Sequence, residues 1–295
     1  MGKTIFKVDG GIGRELWFTG LLKKYKETYP DEDIIVYGGI REVFDNLPFI
    51  HRFYNMGSSY FYDDVMLNAD NYFEFEPYND IRYWKAKTHA IEIMNEDLFK
   101  DNEIPSPIIN LNDIEDQIAQ KFIKDKHEQK KKIALFQAYG ASGSNNKPDP
   151  SNRSLTLKEI EEIHSHLVQE GYEVFYIGKD VSQAYKDGMM FKDLSLRQIF
   201  SMIKYADLLI GIDSFMATAA AAFDQSQIVI YKATLPENVG FKSNINVVSE
   251  NILPMPNRIA HGIQSPEQRN ANNTVDIKLI KELITKWGKK EKTQN

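Results

Sequence analysis

The chain contains no cysteine. That excludes disulfide staples, thiolate metal sites and a cysteine nucleophile, and it permits a reducing compartment. Long apolar runs are missing too. The longest lies near Leu208–Ile212, far short of the ~20 residues that a membrane span requires. The opening stretch from Met1 to Gly11 has no apolar segment of the signal-peptide kind. Phe6 stands where a myristoylation signal carries Ser or Thr. These features lead to the expectation of a cytoplasmic protein. Positive charge is not in excess: the formal net charge is -6. A broad nucleic-acid-binding surface is therefore not expected, although a local basic cleft is allowed. The six histidines show no metal-ligand spacing, and His164 and His166 read as opposite sides of a surface helix. Asp63-Asp64 follows a tyrosine-rich stretch and reads as a solvated turn, so no metal site is expected. What is present is ordinary for a globular protein: 42% hydrophobic and 26% charged residues over 295 positions, enough for two cores.

The pattern along the chain alternates strand and helix. Thr4–Val8 is a short β-rich run that ends in Asp9-Gly10-Gly11-Ile12-Gly13. A helical pattern follows through Leu16, Trp17, Leu21, Leu22 and Tyr25, and Ile34–Tyr37 forms the next strand. Strand, glycine turn, helix and strand make a βαβ unit and hence a parallel sheet. Ile81–Phe99 reads as one helix and Asp113–Lys132 as a charged one. The inter-domain break is expected there, giving domains 1–128 and 129–295, with the final helix allowed to pack back on the first. The second half repeats the alternation. Ile133–Gln137 is a strand. Thr156–Glu170 is a helix with a capping-box spacing from Thr156 to Glu159. Strands follow at Tyr172–Ile177, Leu208–Gly211 and Ile228–Tyr231, with helices at Leu196–Lys204, Ala217–Phe223 and Asp276–Trp287.

Ligands of open parallel sheets bind beyond the carboxyl ends of the strands, so three loops matter. In the first, Gly11 and Gly13 allow close backbone approach, and the following helix offers free N–H groups to an anion. A complete GxGxxG is absent. Asp9 and Glu15 in the same loop are carboxylates of the kind that deprotonates an attacking hydroxyl. The competing reading of Glu15 is simple placement in a helix first turn, where negative charge is favoured. The second loop, from Tyr139 to Pro148, offers Gly140, Ser142, Ser144 and Lys147, a set suited to a diphosphate. The third places Asp213 and Ser214 at the start of a helix made almost wholly of small residues, with the N-cap role of Asp213 as the bland alternative.

Together these loops resemble the ADP-heptose:lipopolysaccharide heptosyltransferases, glycosyltransferase family 9. The family's PGAS…K loop is matched by Tyr139-Gly140-Ala141-Ser142 through Lys147. Its long ADLVVGNDSGPMHLAAAL-like segment is matched from Ala206-Asp207-Leu208 through Gly211-Ile212-Asp213-Ser214 to Ala222. Its opening is matched at Gly13, Thr19, Leu21-Leu22, Lys24 and Tyr29-Pro30-Asp31. The resemblance implies a GT-B fold of two Rossmann-like, doubly wound α/β domains facing across a cleft. It also implies inverting transfer from a nucleotide-sugar co-substrate, with no metal or other cofactor. It implicates Gly178, Lys179, Thr218 and Lys232 as further donor contacts. The chain departs from the family in two places. Arg14 stands at the aspartate thought to be the catalytic base, and Thr218 stands at the histidine of the later motif. The catalytic candidates are therefore Glu15, Asp9 and Arg14. The acceptor is expected to be a surface glycan such as a lipopolysaccharide core, or a hydroxymethylated base of phage DNA. A DNA acceptor predicts a basic lining from Arg14, Lys23, Arg41, Arg52, Arg82, Lys85 and Lys87. The aromatic-rich stretch Tyr54–Tyr83 suits stacking on either acceptor. Two rival readings are a non-catalytic nucleotide-sugar or glycan-binding protein of the same fold and an NAD(P)-linked oxidoreductase.

Overall fold

A computed structural model describes residues 2–140, 153–178, 189–190, 194–250, 252 and 274–292. The chain divides into two compact units, Met1–Asn112 and Asp113–Asn295. This boundary falls one helix earlier than the break expected after residue 128. The reason is that the intervening helix is tied to the second unit: Glu115 holds Arg197 at 2.9 Å, and Asp116 holds Lys204 at 2.7 Å.

The first unit contains β1 (Lys3–Val8), α1 (Ile12–Thr28), β2 (Asp33–Gly38), α2 (Arg41–Phe44), β3 (Arg52–Asn55), α3 (Tyr60–Asp64), β4 (Asn71–Glu74) and α4 (Ala90–Phe99). Its four strands are all parallel, in the order β3-β2-β1-β4. β1 is central, so Ile5, Phe6 and Val8 are fully buried and read as an apolar run rather than an alternation. Thr19 fixes the segment after α4 against α1: its Oγ1 accepts the Ile108 N–H at 2.7 Å and donates to the Leu16 carbonyl at 2.7 Å. The single helix expected over 81–99 is broken. A π-turn at Arg82–Ala86 is followed by Lys87 at φ 55°, and α4 begins afresh with His89 Nδ1 accepting the Ile91 N–H at 3.1 Å. The turn is held back on its own loop, because Trp84 Nε1 donates to the Tyr78 carbonyl and Arg82 binds Asp80. Asp63-Asp64, expected as a turn, closes α3.

The second unit contains α5 (Asp113–Glu128), β5 (Lys132–Gln137), α6 (Leu157–Gln169), β6 (Tyr172–Tyr176), β7 (Met189–Met190), α7 (Leu196–Tyr205), β8 (Leu208–Ile212), α8 (Phe215–Ala222), β9 (Gln227–Tyr231), α9 (Pro236–Val239), β10 (Asn244–Val248) and α10 (Ile277–Lys292). Its parallel strands run in the order β10-β9-β8-β5-β6-β7. The capping box expected at Thr156 and Glu159 is formed. The final helix completes the core of this unit: Ile280 and Ile284 are fully buried, and Lys281 pairs with Glu162 of α6. His164 does not lie on an exposed face. It is buried, with Nδ1 2.8 Å from the Tyr176 hydroxyl. No helix among the described residues is long and apolar enough to cross a membrane.

Candidate functional site

Both sheets reverse their chain order once, and an open α/β sheet presents its ligand crevice at that reversal. In the second unit the chain adds β6 and β7 on one side of β5, then returns to place β8, β9 and β10 on the other. The reversal therefore lies between β5 and β8. Gln137 ends β5, and Asp213 and Ser214 lead from β8 into α8. The Gln137 amide braces that junction. Its Nε2 donates to Ser214 Oγ at 3.0 Å, and its Oε1 accepts the Met216 N–H at 3.2 Å. Ser214 occupies the N-cap of α8 without itself capping by its side chain, so the neighbouring strand supplies the acceptor that the helix start needs. Gly211 makes the close approach possible. A Cβ there would lie 2.8 Å from the Gln137 carbonyl oxygen and 3.0 Å from Met216 Cε.

Asp213 is held rather than loose, its side chain 13% exposed. Thr234 Oγ1 donates to Oδ2, while Arg153 Nη1 donates to the Asp213 carbonyl at 2.9 Å and lies 3.9 Å from Oδ2. The carboxylate adds to the burial that pushes the Tyr231 phenol upward. Arg153 is one-quarter exposed and brings positive charge to the crevice. Sequence reasoning passed over both Arg153 and Gln137, because neither sits in a motif that names it. Thr218 is buried on α8, the N–H of Gly140 donates to Ser154 Oγ at 3.0 Å, and Gly178 is exposed just past β6. Ser142, Ser144, Lys147 and Lys179 lie outside the described residues. Lys232 is placed differently from the phosphate contact expected of it. It is buried, with Nζ 2.9 Å from Glu159 Oε2, so its charge is spent on the capping box of α6.

In the first unit the order reverses between β1 and β4. Asp9 is exposed just past β1, and Gly10 takes a φ of 135°, which disfavours any other residue there. Gly11 occupies the N-cap of α1, and Gly13, Arg14 and Glu15 follow in its first turn. Glu15 is 0% exposed. Its Oε1 accepts the Gly39 N–H and its Oε2 the Ile40 N–H, each at 3.0 Å. Burial pushes its carboxyl up to about 7 against the pull of these two bonds, with Asp9 and Glu42 adding to the rise. Glu15 is thus the clamp of the β2–α2 turn, and Asp9 is the exposed carboxylate of the loop.

Arg14, 11% exposed, reaches across the reversal to the end of β4. Its Nη1 is 2.7 Å from Glu76 Oε2, and its Nη2 donates to the Phe75 carbonyl at 2.6 Å. The guanidinium lies 5.7 Å from the Tyr78 ring centre. Its Nε is buried with no hydrogen-bond partner among the described residues. Glu76 was invisible to motif reading, since 62 residues separate it from Arg14. Only the pairing of β1 with β4 joins them. Several of the residues expected to form a basic lining carry acidic partners of their own. Arg82 contacts Asp80, Glu96 and Asp97, Arg41 lies near Asp45, and Lys23 lies near Glu27. Among the described residues, no group of three or more His, Asp or Glu side chains is arranged to hold a metal ion.

No protein-family model matches the chain, and no curated protein sequence matches it. Solved structures do. A glycosyl transferase family 9 protein from Veillonella parvula DSM 2008 aligns at TM-score 0.67 and 10% identity, over 96% of this chain and 97% of that one. The E. coli ADP-heptose LPS heptosyltransferase II aligns at TM-score 0.70 and 12% identity, over 99% of this chain and 100% of that one. The E. coli heptosyltransferase WaaC, solved with ADP, aligns at TM-score 0.57 and 13% identity, over 97% and 99%. With both sheets parallel and the likeness running over nearly the whole chain, the protein has the α/β fold of the family 9 heptosyltransferases.

Proposed function

We propose that the protein is an inverting, nucleotide-sugar-dependent glycosyltransferase working in the GT-B manner, with the donor on the second unit and the acceptor on the first. The observation that carries this reading is the β5–β8 crevice. There the start of α8, braced by Gln137, meets Arg153 and the fixed Asp213. Helix N–H groups and a guanidinium suit the charge that develops on a departing diphosphate. A carboxylate held as Asp213 is suits the hydroxyls of a ribose or sugar. Ser142, Ser144, Lys147 and Lys179 are assigned to the same diphosphate, and no metal is required for its departure. The neighbour solved with ADP supports a nucleoside diphosphate as the common element.

A glycan hydroxyl is the favoured acceptor over a base in DNA, because four of the seven residues expected to line a basic cleft, Arg14, Lys23, Arg41 and Arg82, already carry acidic partners. One observation favours a second reading, a non-catalytic nucleotide-sugar-binding protein: Arg14 stands at the expected aspartate and is bound to Glu76. Turnover of any donor excludes that alternative. The first test is a thermal-shift screen with ADP, UDP, GDP and their sugar conjugates on the wild type, Asp213→Ala and Arg153→Ala. Ligand at 100 times Kd stabilises the native state by about 2.7 kcal/mol. A shift with one nucleotide class, lost in both variants, is expected. No shift with any nucleotide overturns the donor site.

A further inference from the structure

We propose that Glu76, delivered from the end of β4 and oriented by Arg14, is the general base that deprotonates the acceptor; this rests on the glycosyltransferase reading above. Three carboxylates surround the reversal point of the first unit. Glu15 has both oxygens committed to backbone N–H groups and is fully buried, so an acceptor does not reach it. Asp9 is exposed, but no hydrogen bond or ion pair among the described residues orients its carboxylate. Glu76 combines the two properties that a base needs. Its side chain is 32% exposed, and it is held in place. Arg14 Nη1 fixes Oε2 at 2.7 Å, and the Tyr78 N–H approaches Oε1 at 3.4 Å.

Arg14 is itself held by the Phe75 carbonyl and the Tyr78 ring. That rigidity separates this pair from an ordinary surface ion pair, which orders little. The strand register places Glu76 correctly. Lys7 pairs with Glu74 across β1 and β4, and two residues further along the chain in each case, past the strand ends, stand Asp9 and Glu76, on the loops that leave the sheet at its reversal. The carboxylate thus reaches the reversal point from the neighbouring strand, and the arginine reaches it from the helix. In the step itself the acceptor hydroxyl oxygen attacks the anomeric carbon. The bond from that carbon to the diphosphate oxygen breaks, and its electron pair leaves with the diphosphate. The hydroxyl proton passes to Glu76. Arg14 is a positioning residue.

The test uses release of nucleoside diphosphate from UDP-glucose, GDP-mannose and ADP-glucose, with water as acceptor. It compares the full-length wild type with Glu76→Gln, Glu76→Asp, Asp9→Asn and Arg14→Lys. General-base removal costs roughly 100- to 10,000-fold. Glu76→Gln is expected to lower kcat by about 100-fold or more, to leave the donor KM within about twofold, and to abolish the fall in rate on the acid side of the pH profile. Glu76→Asp and Arg14→Lys are expected to retain intermediate rates with that acid-side fall intact. Nucleotide-induced thermal shifts establish that each variant is folded. A folded Glu76→Gln with wild-type kcat, or one whose loss is confined to KM, overturns the assignment. So does an Asp9→Asn variant that alone loses the reaction. Release by no donor in the wild type overturns it too, and a nucleoside diphosphate that still raises the Tm then leaves the donor site standing.

Discussion

Glu15 makes a prediction that is independent of any substrate. Its carboxyl is fully buried and raised to about 7, chiefly by loss of solvation. An acid whose folded-state pKa is raised stabilises the fold while it is protonated. That contribution is complete below the unfolded value near 4.5 and disappears as the pH rises through about 7. Integrating the linkage between these values gives a contribution at pH 5 about 2.5 kcal/mol larger than at pH 8. Glu15→Gln removes the titration. Its amide still accepts one of the Gly39 and Ile40 N–H groups and leaves the other short of a partner, a cost of about 1–3 kcal/mol that does not vary with pH. Urea denaturation of wild type and variant at pH 5 and pH 8 is the assay, and the quantity read is the difference between the two proteins. Asp101, held at about 2, and the lowered Asp80, Asp116 and Glu173 contribute in the opposite direction. Their stabilisation is present above the ordinary carboxylate range and is lost in acid. They are common to both proteins and cancel. The variant is expected to lose about 2.5 kcal/mol of its relative disadvantage between pH 5 and pH 8. An equal difference at the two pH values refutes the buried-clamp assignment and restores Glu15 as a candidate base.

Further expectations concern packing, charge and the acceptor. Lys232→Ala leaves the Glu159 carboxylate buried without its cation and is expected to cost about 3 kcal/mol in urea denaturation, whereas Lys232→Met with Glu159→Gln recovers most of it. A single variant as stable as the wild type removes Lys232 from this structural role. Gly211→Ala forces a Cβ to 2.8 Å from a backbone oxygen of β5 and is expected to cost about 1–3 kcal/mol while lowering nucleotide affinity, read by calorimetry. A neutral effect on both shows that β8 and β5 are not closely apposed there. Duplex DNA carrying hydroxymethylated bases is expected to bind no more tightly than the ~10⁻⁴ M end of non-specific association, even at 50 mM salt. Fluorescence anisotropy showing tight binding, with affinity falling steeply from 50 to 200 mM salt, makes DNA the acceptor instead.

Much of the fold was legible because its signals are local. The buried strands of the second unit, such as Leu208–Ile212, are uninterrupted apolar runs, and the Thr156–Glu159 capping box is a four-residue pattern. The edge strands β3 and β4 were not legible. Each is four residues long and partly solvent-facing, so neither shows an apolar run. The break at Lys87 was hidden because the 81–99 stretch keeps helical spacing, while the bonds that disrupt it run backward from Trp84 and Arg82 to the preceding loop. At the site, the residues singled out in sequence lie on the segments after β1, β5, β6, β8 and β9, but several of the described ones have partners that no local pattern announces. A loop lysine and a strand-end lysine look alike in sequence, yet Lys232, just past β9, is buried and paired with Glu159 of α6. Glu15 and Asp9 both look like available carboxylates, and only burial separates them.

The residues that escaped share one cause. Gln137 meets Ser214 across 77 positions, Arg153 meets Asp213 across 60, and Arg14 meets Glu76 across 62. Each contact forms where a parallel sheet reverses its chain order, so each joins segments that no local pattern relates. The same reversals sort the chemistry. The crevice of the second unit gathers N–H donors and a guanidinium around one fixed carboxylate, which suits a diphosphate and the hydroxyls attached to it. The crevice of the first unit gathers carboxylates around one guanidinium, which suits a proton leaving a hydroxyl. A glycosyl transfer needs both charge patterns, one for the leaving group and one for the nucleophile. A protein that only bound nucleotide sugars would have use for the first pattern alone. On the glycosyltransferase reading proposed above, the oriented Glu76–Arg14 pair supplies the second pattern, and its substitution is the experiment that separates catalysis from binding.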